Sequence, residues 1–344
     1  MALAPTSRIE LAALLVDASA NRRSVLPVGG GTKLRQGRPG PVDEELSTRG
    51  LGRIIAHEPA DLTVTVEGGV SVVDLDAALA TAQQCWPQAD VLPGATVGGV
   101  LASATSGRAR LRNGPVRDGL LEVVVATGDG RIVKAGGKTV KGVAGFDLCR
   151  LMVGSLGSLG VICEVTLKLW PRPTASAWFG LQGSTQDCVA AAARVLATQH
   201  RPSALILTPG GLSIQLVGAP DDVVAPDGFA VADEPPRVSA SGRLRVGVPP
   251  TRVAEMVAGL GQRPFEALVG VGAIEVGVES ADDVAEIRAH AIKLGGHAIV
   301  IDGADDLRAD PWGPPPPGEG LMKHIKATFD PAGILAPGRL VEAT

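Results

Sequence analysis

Three consecutive glycines, Gly29, Gly30 and Gly31, stand between the apolar run Val25–Val28 and the pair Thr32–Lys33. Glycine tolerates positive φ and lets the main chain come close to another group, so a triplet behind a short strand leaves amides placed to hold an anion. Neither standard nucleotide loop accounts for it. A dinucleotide fingerprint begun at Gly29 needs a further glycine where Leu34 stands. The best triphosphate-loop candidate is Gly137-Lys138-Thr139, and the glycine required five positions earlier is Ile132. Taken alone, the triplet also fits an ordinary flexible turn.

Three more bare-backbone segments share the same half of the chain: Gly68–Gly69, residues 92–119 and residues 138–162. Four such segments gathered by one fold predict a large ligand threaded past main-chain amides. Neutral amides suit a pyrophosphate, each charge-assisted hydrogen bond contributing about 1.5 to 3 kcal/mol. For Thr32 and Ser103, turn capping is as good a reading as ligand contact. Lys33 and Lys326 read as solvated lysines, and Arg117 reads as the partner of Asp118.

The 344 residues, 45% hydrophobic, suffice for about two globular domains. A formal charge of -4 and an aromatic content of 3%, with no tyrosine, argue against a nucleic-acid partner. The cysteines at 85, 149, 163 and 188 form no CxxC, so they read as buried free thiols rather than ligands of zinc or an iron–sulfur cluster. No metal site is expected. The N-terminal apolar run is too short to span a bilayer and is broken by Asp17, and Ser7 with Glu10 fits a capping box on a surface helix. The expected location is the cytoplasm, with any membrane association made through partners.

The elements that must position these loops alternate in the first half. A helix is predicted near 7–20, strands near 24–28 and 62–67, and a helix from Ser71 to about Gln84. Two strands meet at Gly128–Gly130, and a long strand ends at Pro171 and Pro173. The second half predicts helices near 184–199, 250–261 and 281–294. Its predicted strands lie near 203–208, 212–217, 243–248, 271–279 and 297–302. Residues 219–241 and the proline run near 310–320 read as loops, and a last helix precedes a proline-glycine turn. The fold class is α+β, with a smaller helix-on-sheet domain after Pro173.

The order "PVGGGTK", "PGATVGG", "SGR", "GPVRD", "GFDL" and "GSLGSLGVICEVTLKL" resembles the FAD-binding domain of the vanillyl-alcohol oxidase and p-cresol methylhydroxylase family. Within that family, "VKGVAGFDLCRLMVGSLGSLGV", "GGHA" at 295–298 and "IKATFDPAGILAPGR" are most similar to the FAD-binding subunits of glycolate oxidase complexes. The resemblance implies that Pro27 and Val28 lead into a loop whose Gly29, Gly30, Gly31, Thr32 and Lys33 meet the FAD pyrophosphate. It implies that Pro93, Gly94, Thr96, Gly98 and Gly99 run past the flavin and ribityl chain, with Ser103 and Ser106 as hydroxyl partners. Val161 and Ile162 would meet the adenine half through their backbone. The resemblance further implies a two-lobed FAD-binding domain over 1–174, a smaller α+β cap over 175–310 and a segment 311–344 returning to the first domain. The implied partners are a catalytic flavoprotein and an iron–sulfur subunit, and the implied substrate is a small 2-hydroxy acid.

Departures from the pattern bear on mechanism. No histidine stands in the glycine loop, so FAD is expected to be held without a covalent bond. Leu156, Ala336 and Phe146 replace a glutamate, an asparagine and a tyrosine common in the family. The histidine-rich metal motif of related 2-hydroxy-acid dehydrogenases is absent. Of five scattered histidines, His297 is the best acid–base candidate, although a structural histidine is the commoner case. Two alternatives stay open: a stand-alone FAD dehydrogenase for a hydroxy acid or alcohol, and a non-catalytic scaffold that binds FAD to hold its partners.

Overall fold

The computed structural model describes residues 2–137 and 147–340. The stretch containing Lys138, Thr139 and the Gly145-Phe146 half of "GFDL" lies outside the described residues. The chain divides into two compact units, Met1–Gly107 with Pro115–Arg172 and Pro315–Thr344, and Arg108–Gly114 with Pro173–Pro314.

In the first unit, strands Ala2–Leu3, Glu44–Ser47 and Val25–Val28 form a parallel sheet in that spatial order. A five-stranded antiparallel sheet runs Ile54–Glu58, Thr63–Glu67, Val161–Lys168, Leu120–Ala126 and Ile132–Gly136. The run "LLEVVVA" lacks polar alternation because it is buried on both faces. Val123 and Val125 join one apolar cluster, while Val124 and Ala126 join another with Leu11, Leu15, Val25 and Leu335. The ladder between Leu120–Ala126 and Val161–Lys168 shifts register near Ile162, a bulge at the rim of the glycine loops.

Helix Arg8–Ala20 starts as expected on Ser7, whose side chain accepts the Glu10 amide. The Glu10 carboxylate instead takes the amide of Thr6 at 2.8 Å, so the reciprocal half of the capping box is displaced by one residue. The helix predicted to reach Gln84 stops at Ala80. Gln83 adopts φ 53, and Gln84–Cys85 pairs with Trp170–Pro171, a distant partner that local periodicity does not encode. Strands Glu44–Ser47 and Ile54–Glu58 also go beyond the sequence reading.

The second unit is an eight-stranded antiparallel sheet in the order Ala230–Ala232, Ala175–Leu181, Gly211–Gly218, Ala204–Thr208, Phe265–Leu268, Ala273–Val278, Gly242–Gly247 and His297–Asp302. Period-two alternation puts Leu244, Val246, Ile274 and Val276 in the core, with Arg243, Arg245 and Glu275 on the opposite side. Helices Thr185–Ala197, Val253–Ala258 and Ala281–Lys293 close that core with Ala191, Met256 and Ile287. The three strands missing from the sequence reading are Ala175–Leu181, Ala230–Ala232 and Phe265–Leu268. Arg108 is nearly buried in this unit, its Nε 2.8 Å from Glu266 and its Nη1 2.6 Å from Glu234.

Candidate functional site

The glycine segments of the first unit pack backbone against backbone. A Cβ on Gly30 would stand 1.5 Å from the Gly94 carbonyl oxygen, one on Gly68 would stand 2.2 Å from that of Ile162, and one on Gly69 would stand 1.9 Å from that of Thr48. Gly29 is likewise closed by Thr96 Oγ1 at 2.2 Å. These glycines are required by the close approach of neighbouring loops rather than by positive φ. Gly31 is different: its φ is 78 and its missing Cβ faces open space to 3.8 Å.

This packing leaves a cleft of about 680 Å³, counted out to the solvent mouth. Pro27, Gly29, Gly30, Gly31, Thr32, Lys33, Thr96, Gly98, Gly99, Ser103, Val161 and Ile162 line it together. Val28, Pro93, Gly94 and Ser106 are not in the lining. The Val28 carbonyl accepts the Thr48 amide at 2.9 Å, the Gly94 carbonyl is packed on Gly30, and Pro93 is exposed. Ser106 Oγ accepts the amide of Val116 at 3.2 Å, which ties its own loop. Sequence reasoning missed Leu34, Thr48, Ala102, Gly157, Gly160 and Arg339 in the lining, and it named Leu156, also there, only as a departure from the family pattern. Gly157, Gly160 and Arg339 lie inside motifs already quoted for the resemblance, whereas Thr48 carries no local signal.

The backbone donors of the cleft fall into two sets. Thr96 caps the short helix Val97–Ala102, and the amides of Val97, Gly98 and Gly99 are engaged by Val70 O, Gly68 O and Thr96 Oγ1. Among the described residues, no hydrogen bond engages the amides of Gly29, Gly30, Gly31 or Thr32. Ser103 Oγ donates to the Gly99 carbonyl at 2.7 Å, the capping role that was one of its two readings. Among the described residues of the lining, Lys33 and Arg339 are ionisable and none is a carboxylate, histidine or cysteine. Unengaged amides, open space at Gly31 and the cations Lys33 and Arg339 in one lining fit the pyrophosphate of FAD.

The C-terminal tail braces this site. Val25 donates to the Ile334 carbonyl at 2.7 Å and accepts the Ala336 amide at 2.8 Å, so the tail adds a bridge beside Val25–Val28. Lys326, read from the sequence as a surface lysine, is mostly buried. It ion-pairs with the buried Asp330 and donates to the carbonyls of Ser158 at 2.8 Å and Leu335 at 2.7 Å. Burial pulls its pKa below the ordinary lysine value, against the opposing pull of Asp330. Leu156 and Ala336 adopt φ 52 and 41, in the left-handed region that asparagine tolerates better than alanine, a physical reason for the asparagine common at the second position.

The remaining candidates lie elsewhere. His297 belongs to the second unit, exposed at the start of a sheet-edge strand opposite Gly247. Cys149 and Cys163 are buried, and burial pushes their thiols up to about 11 and about 12, while Cys85 is only partly buried. Arg117 and Asp118 approach to 3.5 Å, as read. Among the described residues no group of three or more His, Cys, Asp and Glu is arranged to hold a metal ion, and no helix is long and apolar enough to cross a membrane.

Comparison with known proteins adds to this geometry. The profile described as "FAD binding domain" matches residues 1–136. Glycolate oxidase subunit GlcE of Escherichia coli (strain K12) is 31% identical over 331 residues, 91% of each chain. Glycolate oxidase subunit GlcD of Bacillus subtilis (strain 168) is 35% identical over 175 residues, 50% of this chain and 37% of that one. A solved alkyldihydroxyacetonephosphate synthase superposes with a TM-score of 0.72 at 15% identity, covering 98% of this chain and 77% of the other, which is a likeness of fold. With a relative matched across nine-tenths of both lengths, the chain belongs to the p-cresol methylhydroxylase-type FAD-binding family, in the group that contains glycolate oxidase subunit GlcE.

Proposed function

We propose that this chain is the FAD-binding subunit of a 2-hydroxy-acid oxidase of the glycolate type, holding FAD without a covalent bond and working with a catalytic flavoprotein and an iron–sulfur subunit. One observation carries the reading: the amides of Gly29–Thr32, which no hydrogen bond engages among the described residues, line one cleft with Lys33 and Arg339. The relative matched over nine-tenths of both chains is itself a glycolate oxidase subunit.

The bound flavin supplies a two-electron acceptor. The chain's own residues bind and shield it. Gly29–Thr32 donate to the pyrophosphate, Lys33 and Arg339 offset its charge, and the walls at Pro27, Leu156 and Ile162 exclude water. Non-covalent attachment is supported by the absence of histidine between Val28 and Gln36. Partner dependence is supported by the described lining residues, which offer no carboxylate, histidine or cysteine as the base that oxidising a 2-hydroxy acid requires for the hydroxyl proton.

Anaerobic mixing of the purified, FAD-loaded chain with millimolar glycolate or D-lactate tests this division of labour. The flavin absorbance is expected to stay oxidised until partner subunits are added. Rapid bleaching by substrate alone sinks the partner dependence and makes a stand-alone dehydrogenase the better reading, with His297 the first residue to change. Flavin that stays oxidised even in the turning-over complex points instead to a scaffold.

A further inference from the structure

We propose that Arg339 is a positioning residue for the cofactor loop, setting the turn that aims the Gly29–Thr32 amides. This inference rests on the FAD reading above. Arg339 is 9% exposed and lines the same cleft as those amides. Its Nε donates to the Gln36 carbonyl at 3.0 Å, and its Nη2 donates to the carbonyls of Leu34 at 2.9 Å and Lys33 at 3.2 Å. The main chain joins the same contact, with the Arg38 amide donating to the Arg339 carbonyl at 3.1 Å. Gly37, at φ 91, allows the approach, because a Cβ there would stand 2.9 Å from both Arg339 Cγ and Arg339 O.

Peptide planarity carries this grip to the amides. Each carbonyl and the following N–H point in opposite directions, so whatever fixes a carbonyl also aims the next donor. The Val28 carbonyl is held by the Thr48 amide at 2.9 Å, which aims the Gly29 N–H. The Gly31 carbonyl takes the Leu34 amide at 3.5 Å, a long bond that aims the Thr32 N–H. Leu34 is therefore the hinge of the loop, and its own carbonyl is the shortest of the three held by Arg339. A planar guanidinium reaches carbonyls along two of its edges at once, whereas an ammonium is a single point of donation. Lysine at 339 would keep the charge and lose the fork.

The test uses the full chain stripped of flavin, comparing the parent with Arg339→Gln, Arg339→Lys and the exposed control Arg252→Gln. FAD affinity is measured by quenching of flavin fluorescence, and amide exchange of the apo proteins by mass spectrometry. Losing one or two carbonyl contacts is expected to weaken FAD binding about tenfold in Arg339→Gln, with Arg339→Lys in between. Faster exchange is expected to be confined to residues 29–38. FAD affinity within twofold of the parent overturns the proposal, as does faster exchange spread through the whole first unit, the mark of general destabilisation. If Arg339→Gln does not fold, the same two criteria apply to Arg339→Lys. Parent protein that takes up no FAD overturns the cofactor reading itself, a result distinguishable from either.

Discussion

In the second unit, Gly228 adopts φ 86 with nothing within 4 Å of where a Cβ would stand, while Gly30 in the first unit has a carbonyl oxygen 1.5 Å from that point. The second unit gets its order from side chains: alternating strands and amphipathic helices bury leucine, valine and isoleucine against one another. The cofactor end of the first unit gets its order from main chain packed on main chain, with glycines at the crossings and the tail residues Lys326 and Arg339 tying the loops down. Side-chain packing can absorb a small change in volume by choosing other rotamers, whereas a carbonyl in van der Waals contact with a Cα has nowhere to move. The site therefore sits where an added methyl group at Gly30 or Gly69 would meet a backbone carbonyl oxygen.

The largest effect that would break this contrast is at Gly30. Gly30→Ala is expected to destabilise the first unit by about 3 kcal/mol or more through overpacking, and Gly228→Ala by only about 1 kcal/mol through its positive φ. Calorimetric melting of both variants decides the matter, and equal losses would erase the distinction. Because the clash is with Gly94 and not with cofactor, loss of flavin in a Gly30 variant does not by itself locate the pyrophosphate.

A smaller effect tests side-chain order in the second unit. Asp283 accepts the amides of Glu279 and Ser280 at 3.0 Å and pairs with Arg263 at 2.7 Å, which lowers its pKa from 3.8 to about 2. The folded value lies below the unfolded one, so its stabilisation is present above about pH 4 and is lost as pH falls through about 2. After allowance for solvent screening it amounts to about 1 kcal/mol at pH 7. Asp283→Asn should lower the urea midpoint of the second unit at pH 7 and cost progressively less toward pH 2. A pH-independent difference would assign the loss to something other than this carboxylate.

The smallest effect has the opposite sign. Helix Arg8–Ala20 ends with Arg22 N–H on Ser19 O and Arg23 N–H on Ala18 O, and Arg22 adopts φ 51 in the left-handed region. That position favours glycine, and Arg22 is exposed, so Arg22→Gly is expected to stabilise by about 0.5 kcal/mol. A melting point raised by ~1 to 2 °C supports the geometry, and a lowered one contradicts it.

What the sequence made legible follows the same division. Helices Thr185–Ala197 and Ala281–Lys293 and strands such as Gly242–Gly247 announce themselves by period and cap, because their order is local. Strand Ala175–Leu181 was missed because small residues blur its alternation, and helix Val97–Ala102 because Gly98 and Gly99 read as loop although Thr96 caps it. At the site, the glycine triplet, Thr96 and Val161–Ile162, expected from the sequence to face a ligand, do come together in the lining of one cleft. Thr48 and the function of Arg339 were not, since both depend on chain segments that meet across long separations. Lys326 was misread for the same reason: a lysine in a short amphipathic helix gives no sign that Asp330 and the Ser158 carbonyl will enclose it.

The central claim is that the cleft of the first unit holds FAD by backbone donors and without a covalent bond. The most direct measurement is the flavin content of the purified chain before and after acid precipitation, with the released flavin identified by chromatography. The account predicts about one FAD per folded chain, all of it in the acid supernatant. Flavin retained on the precipitated polypeptide, or a folded chain that takes up no FAD at saturating concentration, would contradict it.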